Sequence, residues 1–211
     1  MSIATGRAPQ ASTLLMQTPA SVQLTIPSIC YMESFSALED EVKRNNYFKQ
    51  QIDNQISEAN RDFTSHHARS LSFNLGQSRN DHERRLQDIK LRLHESIEQL
   101  SQNGEMIALT TNIIQESLNN MIIAKDPTDN LILHCILSHA RLHPTETKVF
   151  LSGNVKEFRQ LPEVQDALQQ AGVEKYFSRT EDFLGWRQSQ SFDFRFEILD
   201  FGLAPRLNSG A

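Results

Sequence analysis

The stretch over residues 148–158 constrains the fold more than any other part of the chain. Residues 149–152 form a short apolar run that predicts a buried strand, Gly153 and Asn154 break it, and a helical turn begins at Val155. In α/β proteins, polar residues just beyond the carboxyl end of a strand lie where the active-site crevice usually forms. The stretch therefore predicts an α/β fold with a functional site after this strand.

Strand-like and helical patterns alternate through the second half of the chain, and one more strand is predicted near its start. This alternation favours an α/β sandwich with a mainly parallel sheet. The early strand ends at Pro27, which lacks the N–H that a β-ladder needs. The predicted elements include strands over 22–26, 149–152 and 173–177 and helices over 131–140 and 161–171.

Apolar residues at helical spacing between positions 38 and 100 predict a long helical hairpin. Two such series are separated by the polar segment 70–80, which we interpret as the turn. Acids and bases are nearly balanced along the hairpin, so we expect a solvated arm. The predicted organisation is a flexible N-terminus over 1–10, one domain over 11–190 with the hairpin inserted at about 38–103, and a C-terminal tail over 191–211 that is either an added edge strand or disordered beyond Phe201.

The net charge and the two cysteines indicate which classes of protein are compatible with the sequence. The net charge of −5 argues against a protein that coats nucleic acid broadly, although a local basic groove remains compatible with it. Cys30 and Cys135 stand in apolar stretches and are interpreted as buried, reduced thiols of a cytosolic protein. No apolar run approaches the roughly 18 residues of a membrane span, and residues 1–10 lack the apolar core of a signal peptide. We therefore expect a soluble cytoplasmic protein without membrane contacts.

Acidic residues follow the predicted strands or stand just inside helix starts. Glu33 follows the first strand, Asp129 opens the buried helix with Asp126 just ahead of it, and Glu157 follows the 149–152 strand with Asn154 ahead of it. If the strands are parallel and adjacent, these side chains converge at one edge of the sheet. Clustered carboxylates repel one another unless a cation such as Mg²⁺ or Mn²⁺ neutralises them. Such a site activates water and binds phosphate oxygens for phosphodiester hydrolysis.

Helix capping offers a second interpretation of the same residues. Asp126 and Asp129, like Asn154 and Glu157, have the spacing of a helix cap with an acid three residues later. Acids in a first turn are also stabilised by the helix macrodipole. Spacing alone therefore favours capping over metal binding for each pair. Glu33 is harder to explain in this way, because an unpaired acid among apolar and aromatic neighbours is costly.

Several of these segments resemble the PIN-domain family, in particular its PIN-like nuclease branch. Residues 126–133 resemble the family segment in which an Asp opens a buried helix, and residues 150–158 resemble its strand followed by (S/T)-x-N-x-x-(D/E)-F. Residues 22–33 resemble its second strand and the helix that carries its second acid, and residues 173–186 fit its closing strand and helix. The resemblance implies a PIN-like three-layer sandwich with a mainly parallel sheet, in which the antiparallel helical hairpin is an insertion.

The same resemblance implies a divalent-metal-dependent ribonuclease that uses Mg²⁺ or Mn²⁺ and acts on single-stranded RNA. The implied site residues are the catalytic and metal-binding acids Glu33, Asp129 and Glu157, the further metal candidate Asp126, and the substrate-binding residues Asn154 and Ser152.

One family feature has no counterpart at the expected place. The family begins with a strand that ends in an Asp, but nothing before Ala11 matches it, and residues 1–10 contain no acid. In an alternative alignment Glu33 replaces that first Asp and Glu116 becomes the second acid; Pro27, just before the Glu33 helix, favours the first alignment. A sheet without its central strand would leave backbone groups unpaired. Either that strand is missing or another segment takes its place.

Two functions therefore follow from the sequence. One is the metal-dependent ribonuclease. The alternative is a non-catalytic interaction protein of the same fold that uses the helical hairpin for assembly, as a homodimer or with an inhibitory protein partner. The absent first acid and the net charge of −5 favour the alternative; Glu33, Asp129 and Glu157 favour the enzyme.

Overall fold

The computed structural model of the protein describes residues 2–190 and 196–199. In the described part, helices and strands alternate as expected for an α/β protein. The helices are α1 Pro9–Met16, α2 Ser28–Ala59, α3 His66–Asn103, α4 Thr111–Asn119, α5 Pro127–Leu142, α6 Val155–Phe158, α7 Pro162–Gln170 and α8 Thr180–Gln188. The strands are β1 Val22–Pro27, β2 Gly104–Ile107, β3 Thr147–Leu151, β4 Val173–Phe177 and β5 Phe196–Leu199.

The strands form one five-stranded sheet in the order β2-β1-β5-β3-β4. Every pairing between them is parallel. A parallel sheet is buried on both faces by the crossover helices, and five of the six residues of β1 and four of the five residues of β3 are buried. The predicted α/β sandwich with a mainly parallel sheet is confirmed.

The C-terminal strand β5 lies at the centre of this sheet. Ile198 is opposite Leu24 of β1 on one side and opposite Val149 of β3 on the other. The expectation of an edge strand is therefore wrong for residues 196–199. The backbones of β1 and β3 need a partner between them, and β5 supplies it. The rest of the predicted tail, 191–195 and 200–211, lies outside the described residues.

The main core joins β1, β3, β4 and β5 to helices α1, α5, α7 and α8, and α5 contributes the most buried residues among these helices. This helix is buried nearly all round, since Leu133, Cys135 and Ile136, which point in different directions, have no exposed surface, and that burial explains its mostly apolar sequence. Cys30 and Cys135 are buried, and neither is in a disulfide. Burial raises the pKa of the Cys135 thiol to about 11, which keeps it protonated and unreactive at neutral pH. The interpretation of both cysteines as buried thiols is confirmed.

A buried acid is paired inside the sheet near the start of β5. Glu197 is 2% exposed, and its Oε1 accepts hydrogen bonds from the Thr25 hydroxyl at 2.8 Å and from the ring of His139. Burial alone would raise the pKa of Glu197, but the hydrogen bonds with His139 and Thr25 outweigh it and hold that pKa below its ordinary value. The carboxylate therefore stays charged at neutral pH and joins β1, β5 and α5.

The N-terminal segment packs against the domain. Ile3 and Ala4 are buried, and Ala4 contacts the fully buried Ile89 and Leu93 of α3. The prediction of a flexible segment over 1–10 is thus wrong for these two residues. These two residues are held in place because their side chains are apolar and pack against other buried residues of the protein.

The antiparallel hairpin of α2 and α3 is present, but its turn lies at residues 60–65 instead of 70–80. The Asp62 side chain accepts the backbone N–H groups of Thr64 and Ser65, both at 3.0 Å. The Ser65 hydroxyl accepts the N–H of Ala68 at 3.3 Å and caps α3. The polar segment 70–80 is part of α3, and none of its residues is buried, so its composition reflects exposure rather than a turn.

Shortening the outer half of the hairpin is expected to leave a folded protein. Lys49 and Glu83 face each other across it, with Nζ and Oε1 2.5 Å apart, so a short turn can replace residues 50–81. Within residues 50–81 only Ile52 is buried, and the exposed pair of Asp53 and Arg79 contributes little stability. We therefore expect the melting midpoint to change by less than about 5 °C. Circular dichroism during heating measures this.

A wider deletion is the matched comparison. Removing residues 41–99 also removes Ile89 and Leu93, so cooperative melting should be lost. A variant lacking 41–99 that melts cooperatively, or one lacking 50–81 that does not, would contradict this division of the hairpin.

Candidate active site

A small cleft opens at the carboxyl edge of the sheet, where β1 and β3 end and α5 begins. Parallel strands bring these ends together, so residues that are distant in sequence become neighbours. The enclosed part of the cleft measures about 10 Å³, close to the volume that one water molecule or ion needs. Its lining consists of Cys30, Glu33, Asp129, Ile132, Ser152, Asn154 and Phe158.

Asp129 is the most buried acid of the cleft. It lies in the first turn of α5 and is only 4% exposed. Its Oδ2 accepts a hydrogen bond of 3.0 Å from the Asn154 side-chain amide. The helix N-terminus and this amide both stabilise the negative charge of the carboxylate. Asp129 is thus held in one orientation at the base of the cleft.

Asp126 caps the helix that carries Asp129. Its Oδ1 accepts the backbone N–H groups of Thr128 at 3.0 Å and of Asp129 at 3.1 Å. Pro127 follows at the first helical position, where a missing N–H costs nothing. Asp126 does not line the cleft. The structure thus supports the capping interpretation of this residue, and its side chain positions Asp129.

Glu33 reaches the cleft from the second turn of α2, directly after β1. Pro27 ends the strand and precedes the helix, and the Ser28 hydroxyl accepts the backbone N–H of Leu109 at 3.2 Å. These contacts fix the start of α2 beside the segment that follows β2. The half-buried Glu33 carboxylate and Asp129 share the lining of one cleft.

Ser152 and Asn154 form the third side of the cleft. The Ser152 backbone N–H donates to the Phe177 carbonyl at 3.0 Å, and its carbonyl accepts a hydrogen bond from the Tyr176 hydroxyl. These two bonds anchor the loop after β3 to β4. The Asn154 side chain makes no capping bond to α6; it bonds Asp129 instead, so the capping interpretation is wrong for Asn154.

Glu157 is not brought into the enclosed cleft. It lies on the four-residue helix α6, its side chain is 13% exposed, and its Oε1 lies 3.9 Å from Nζ of Lys156. The lining of the cleft therefore contains two of the three predicted acids, Glu33 and Asp129, together with the amide of Asn154.

The acid of the alternative alignment also lies elsewhere. Glu116 is on α4, and its Oε2 lies 3.7 Å from Nη1 of Arg141 and 4.0 Å from Nδ1 of His134. Because Glu116 does not line the cleft, the geometry favours the alignment in which Glu33 is the second acid. The apolar wall of Cys30, Ile132 and Phe158 was not predicted, because buried apolar residues beside a site have the same sequence pattern as core.

The donor set fits a hard divalent cation. Two carboxylates and a side-chain amide offer oxygen ligands of the kind that Mg²⁺ and Mn²⁺ prefer. The cleft has room for one such ion, and its carboxylates carry the compensating charge. The chemistry available there is binding and polarisation of an oxygen-containing substrate such as a phosphate.

One of three comparisons with known proteins finds a match. A family model described as "PIN domain" matches residues 6–158, which include both acids of the cleft and the helical hairpin. No curated protein and no solved structure matches the chain. Among the residues that the structure describes, no helix is long and apolar enough to cross a membrane.

Proposed function

The chain belongs to the PIN-domain family, whose members are generally nucleases, and on this premise we propose that it is an Mg²⁺- or Mn²⁺-dependent endoribonuclease. Its substrate is single-stranded RNA, and the bond that it hydrolyses is the phosphodiester. The observation that carries the proposal is the pairing of Glu33 and Asp129 in one ion-sized cleft at the carboxyl edge of the sheet.

The residues of the cleft have distinct tasks in this proposal. Glu33 and Asp129 hold the divalent ion, which when bound polarises a phosphate oxygen and lowers the pKa of a water molecule. Asn154 keeps the Asp129 carboxylate in its orientation through the 3.0 Å hydrogen bond. The Ser152 hydroxyl lines the cleft and accepts the backbone N–H of Asn154 at 3.4 Å; we propose that it donates its own hydrogen to the phosphate. Glu157, just outside the enclosed cleft, is proposed as a further acid at its rim.

Asp200 is proposed as an additional acid of the site. The resemblance to the family calls for an acid after the central strand, and β5 occupies the central position of this sheet. In the sequence, Asp200 is the residue that directly follows Leu199, the last residue of β5. Asp200 lies outside the described residues, so its place in the sequence is what supports this part of the proposal.

A non-catalytic interaction protein is the second candidate. The observation in its favour is the exposure of aromatic side chains on the hairpin, with Tyr47 67%, Phe63 84% and Phe73 66% exposed. Large exposed aromatic side chains are enriched where proteins bind one another. In this alternative the hairpin binds a second copy of the chain or an inhibitory protein, and the cleft has no catalytic task.

An RNA cleavage assay separates the two candidates. We expect the full chain to cut a labelled single-stranded RNA internally when Mn²⁺ or Mg²⁺ is present and to stop when a chelator removes the ion. Glu33→Gln removes one metal-binding charge and should lower the rate by about 100-fold or more, or about 2.7 kcal/mol. Asp200→Asn should have an effect of similar size.

The matched control is Glu39→Gln, an exposed acid on the same helix, which should keep the full rate. Cleavage that survives the chelator or Glu33→Gln would refute the proposed site. Absence of cleavage by the unaltered chain under all these conditions would favour the interaction protein. Full activity of Asp200→Asn alone would remove only that residue from the proposal.

A further inference from the structure

A second group of metal-binding side chains lies at the opposite, amino-terminal edge of the sheet. Ligand atoms of Glu105, His139 and His143 all lie within 4.8 Å of one another. Glu105 is on β2, which follows the hairpin, while His139 and His143 are at the C-terminal end of α5. None of these residues belongs to the cleft with Asp129, which is near the other end of the same helix.

The two histidines have a spacing suited to binding one ion. His139 is in the last turn of α5 and His143 is the residue that follows the helix, and their imidazole rings are stacked with their centres 4.3 Å apart. His139 is 6% exposed and His143 about a third exposed. One histidine is therefore anchored in the core, and the other opens to a cavity of about 320 Å³ that Glu105 and Glu197 also line.

The buried carboxylate of Glu197 is a second, independent feature that supports ligand binding at this cluster. It is 2% exposed, and its Oε2 is buried without a hydrogen-bond partner among the described residues. Its Oε1 contacts Nε2 of His139, which leaves Nδ1 as the other nitrogen of that ring. A carboxylate that accepts the second ring N–H of a histidine is the usual outer contact of a metal-bound imidazole.

The charges around the cavity favour a cation. Three carboxylates, those of Glu105, Glu146 and Glu197, line the cavity, and Oε2 of Glu146 lies 3.7 Å from Nδ1 of His143. The nearby ammonium group of Lys148 is directed to two backbone carbonyls, those of His143 and Glu146. The three carboxylates therefore outnumber the single ammonium group of Lys148, and the region around the two histidines is negatively charged.

We propose that His139, His143 and Glu105 bind a zinc-class transition-metal ion at the amino-terminal edge of the sheet, with Glu197 orienting His139. Two imidazoles and one carboxylate form a known zinc ligand set. Imidazole selects zinc-class ions, whereas the oxygen donors of the Asp129 cleft suit Mg²⁺ or Mn²⁺. The bound ion would join β2, α5 and, through Glu197, the central strand β5, so its role is to hold these elements together.

Zinc titration of the full, tag-free chain tests this inference. With a chromophoric chelator as competitor, His143→Ala and Glu105→Gln should each weaken Zn²⁺ binding about tenfold or more, because each removes a ligand. Added Zn²⁺ should also raise the melting midpoint of the unaltered chain, and this increase should be lost in both variants. Neither residue is part of the core, so both variants should remain folded without zinc.

Two controls complete the test. His94→Ala removes an exposed histidine of the hairpin, and Asp129→Asn alters the other edge; neither should change the Zn²⁺ affinity. Zinc affinity that is unaffected by both His143→Ala and Glu105→Gln, or that is lost in Asp129→Asn, would overturn the inference. Because the readout is zinc affinity, failure here leaves the ribonuclease proposal standing, and absence of RNA cleavage leaves the zinc site standing.

Discussion

Ile198→Asp is expected to prevent folding. Ile198 has no exposed surface and lies in the central strand, opposite Leu24 and Val149. An unpaired carboxylate at this position would cost several kcal/mol of stability. That cost is comparable with the total free energy of unfolding of an ordinary domain, about 5–15 kcal/mol. The variant should therefore show no cooperative melting transition by circular dichroism.

The control for this prediction is Ile198→Val, which keeps an apolar β-branched side chain. It should lower the free energy of unfolding by about 0.5–1.5 kcal/mol and retain a cooperative transition. Deleting residues 196–211 should have the same effect as Ile198→Asp, because β1 and β3 would then lack their common partner. A normal cooperative transition in Ile198→Asp would mean that β5 does not occupy the centre of the sheet in solution.

The elements with strong local signals could be predicted from the sequence. β3 is a short apolar run closed by Gly153, and α5 is an apolar helix opened by Asp126 and Pro127; both lie where the patterns indicate. β1 ends at Pro27 as expected. Parallel strands and the helices that cover them are buried on both faces. Each such segment therefore contains many apolar residues, and it can be recognised without knowledge of its neighbours.

The position of β5 could not be predicted, because strand order depends on contacts between distant segments. Thr25 and Glu197 are 172 positions apart in sequence, and no local pattern records their pairing. A replacement for the missing central strand was one of two alternatives compatible with the sequence, since unpaired backbone would otherwise remain. Residues 196–199 could not be identified as that segment, because the alternation of Phe192, Phe194 and Phe196 with polar residues is also typical of an edge strand.

The candidate site shows the same limit on a smaller scale. Glu33 and Asp129 could be brought together by reasoning from parallel strands alone. Asn154 and Asp126 have similar spacing to a following acid, yet Asp126 caps its helix and Asn154 bonds Asp129. A spacing rule fixes which residues share a turn, but the direction of each side chain depends on tertiary partners. Glu157 lies outside the enclosed cleft for this reason.

Asp129→Asn is expected to abolish metal-dependent cleavage. The amide has the shape of the carboxylate but no charge, so it offers the divalent ion a much weaker ligand. We expect Mn²⁺ binding by calorimetry to weaken about tenfold or more and the cleavage rate to fall by about 100-fold or more. Loss of the favourable interaction with the start of α5 should cost only about 0.3–1 kcal/mol of stability, so the variant should remain folded.

Asp126→Asn is the matched control, because it makes the same chemical change three residues earlier on the same helix start. Asparagine caps helices about as well as aspartate, and Asp126 does not line the cleft. The control should therefore keep Mn²⁺ affinity, cleavage and melting midpoint. If Asp129→Asn binds Mn²⁺ as tightly as the unaltered chain, Asp129 serves only to hold the Asn154 loop; if Asp126→Asn loses affinity equally, the metal site includes the capping residue.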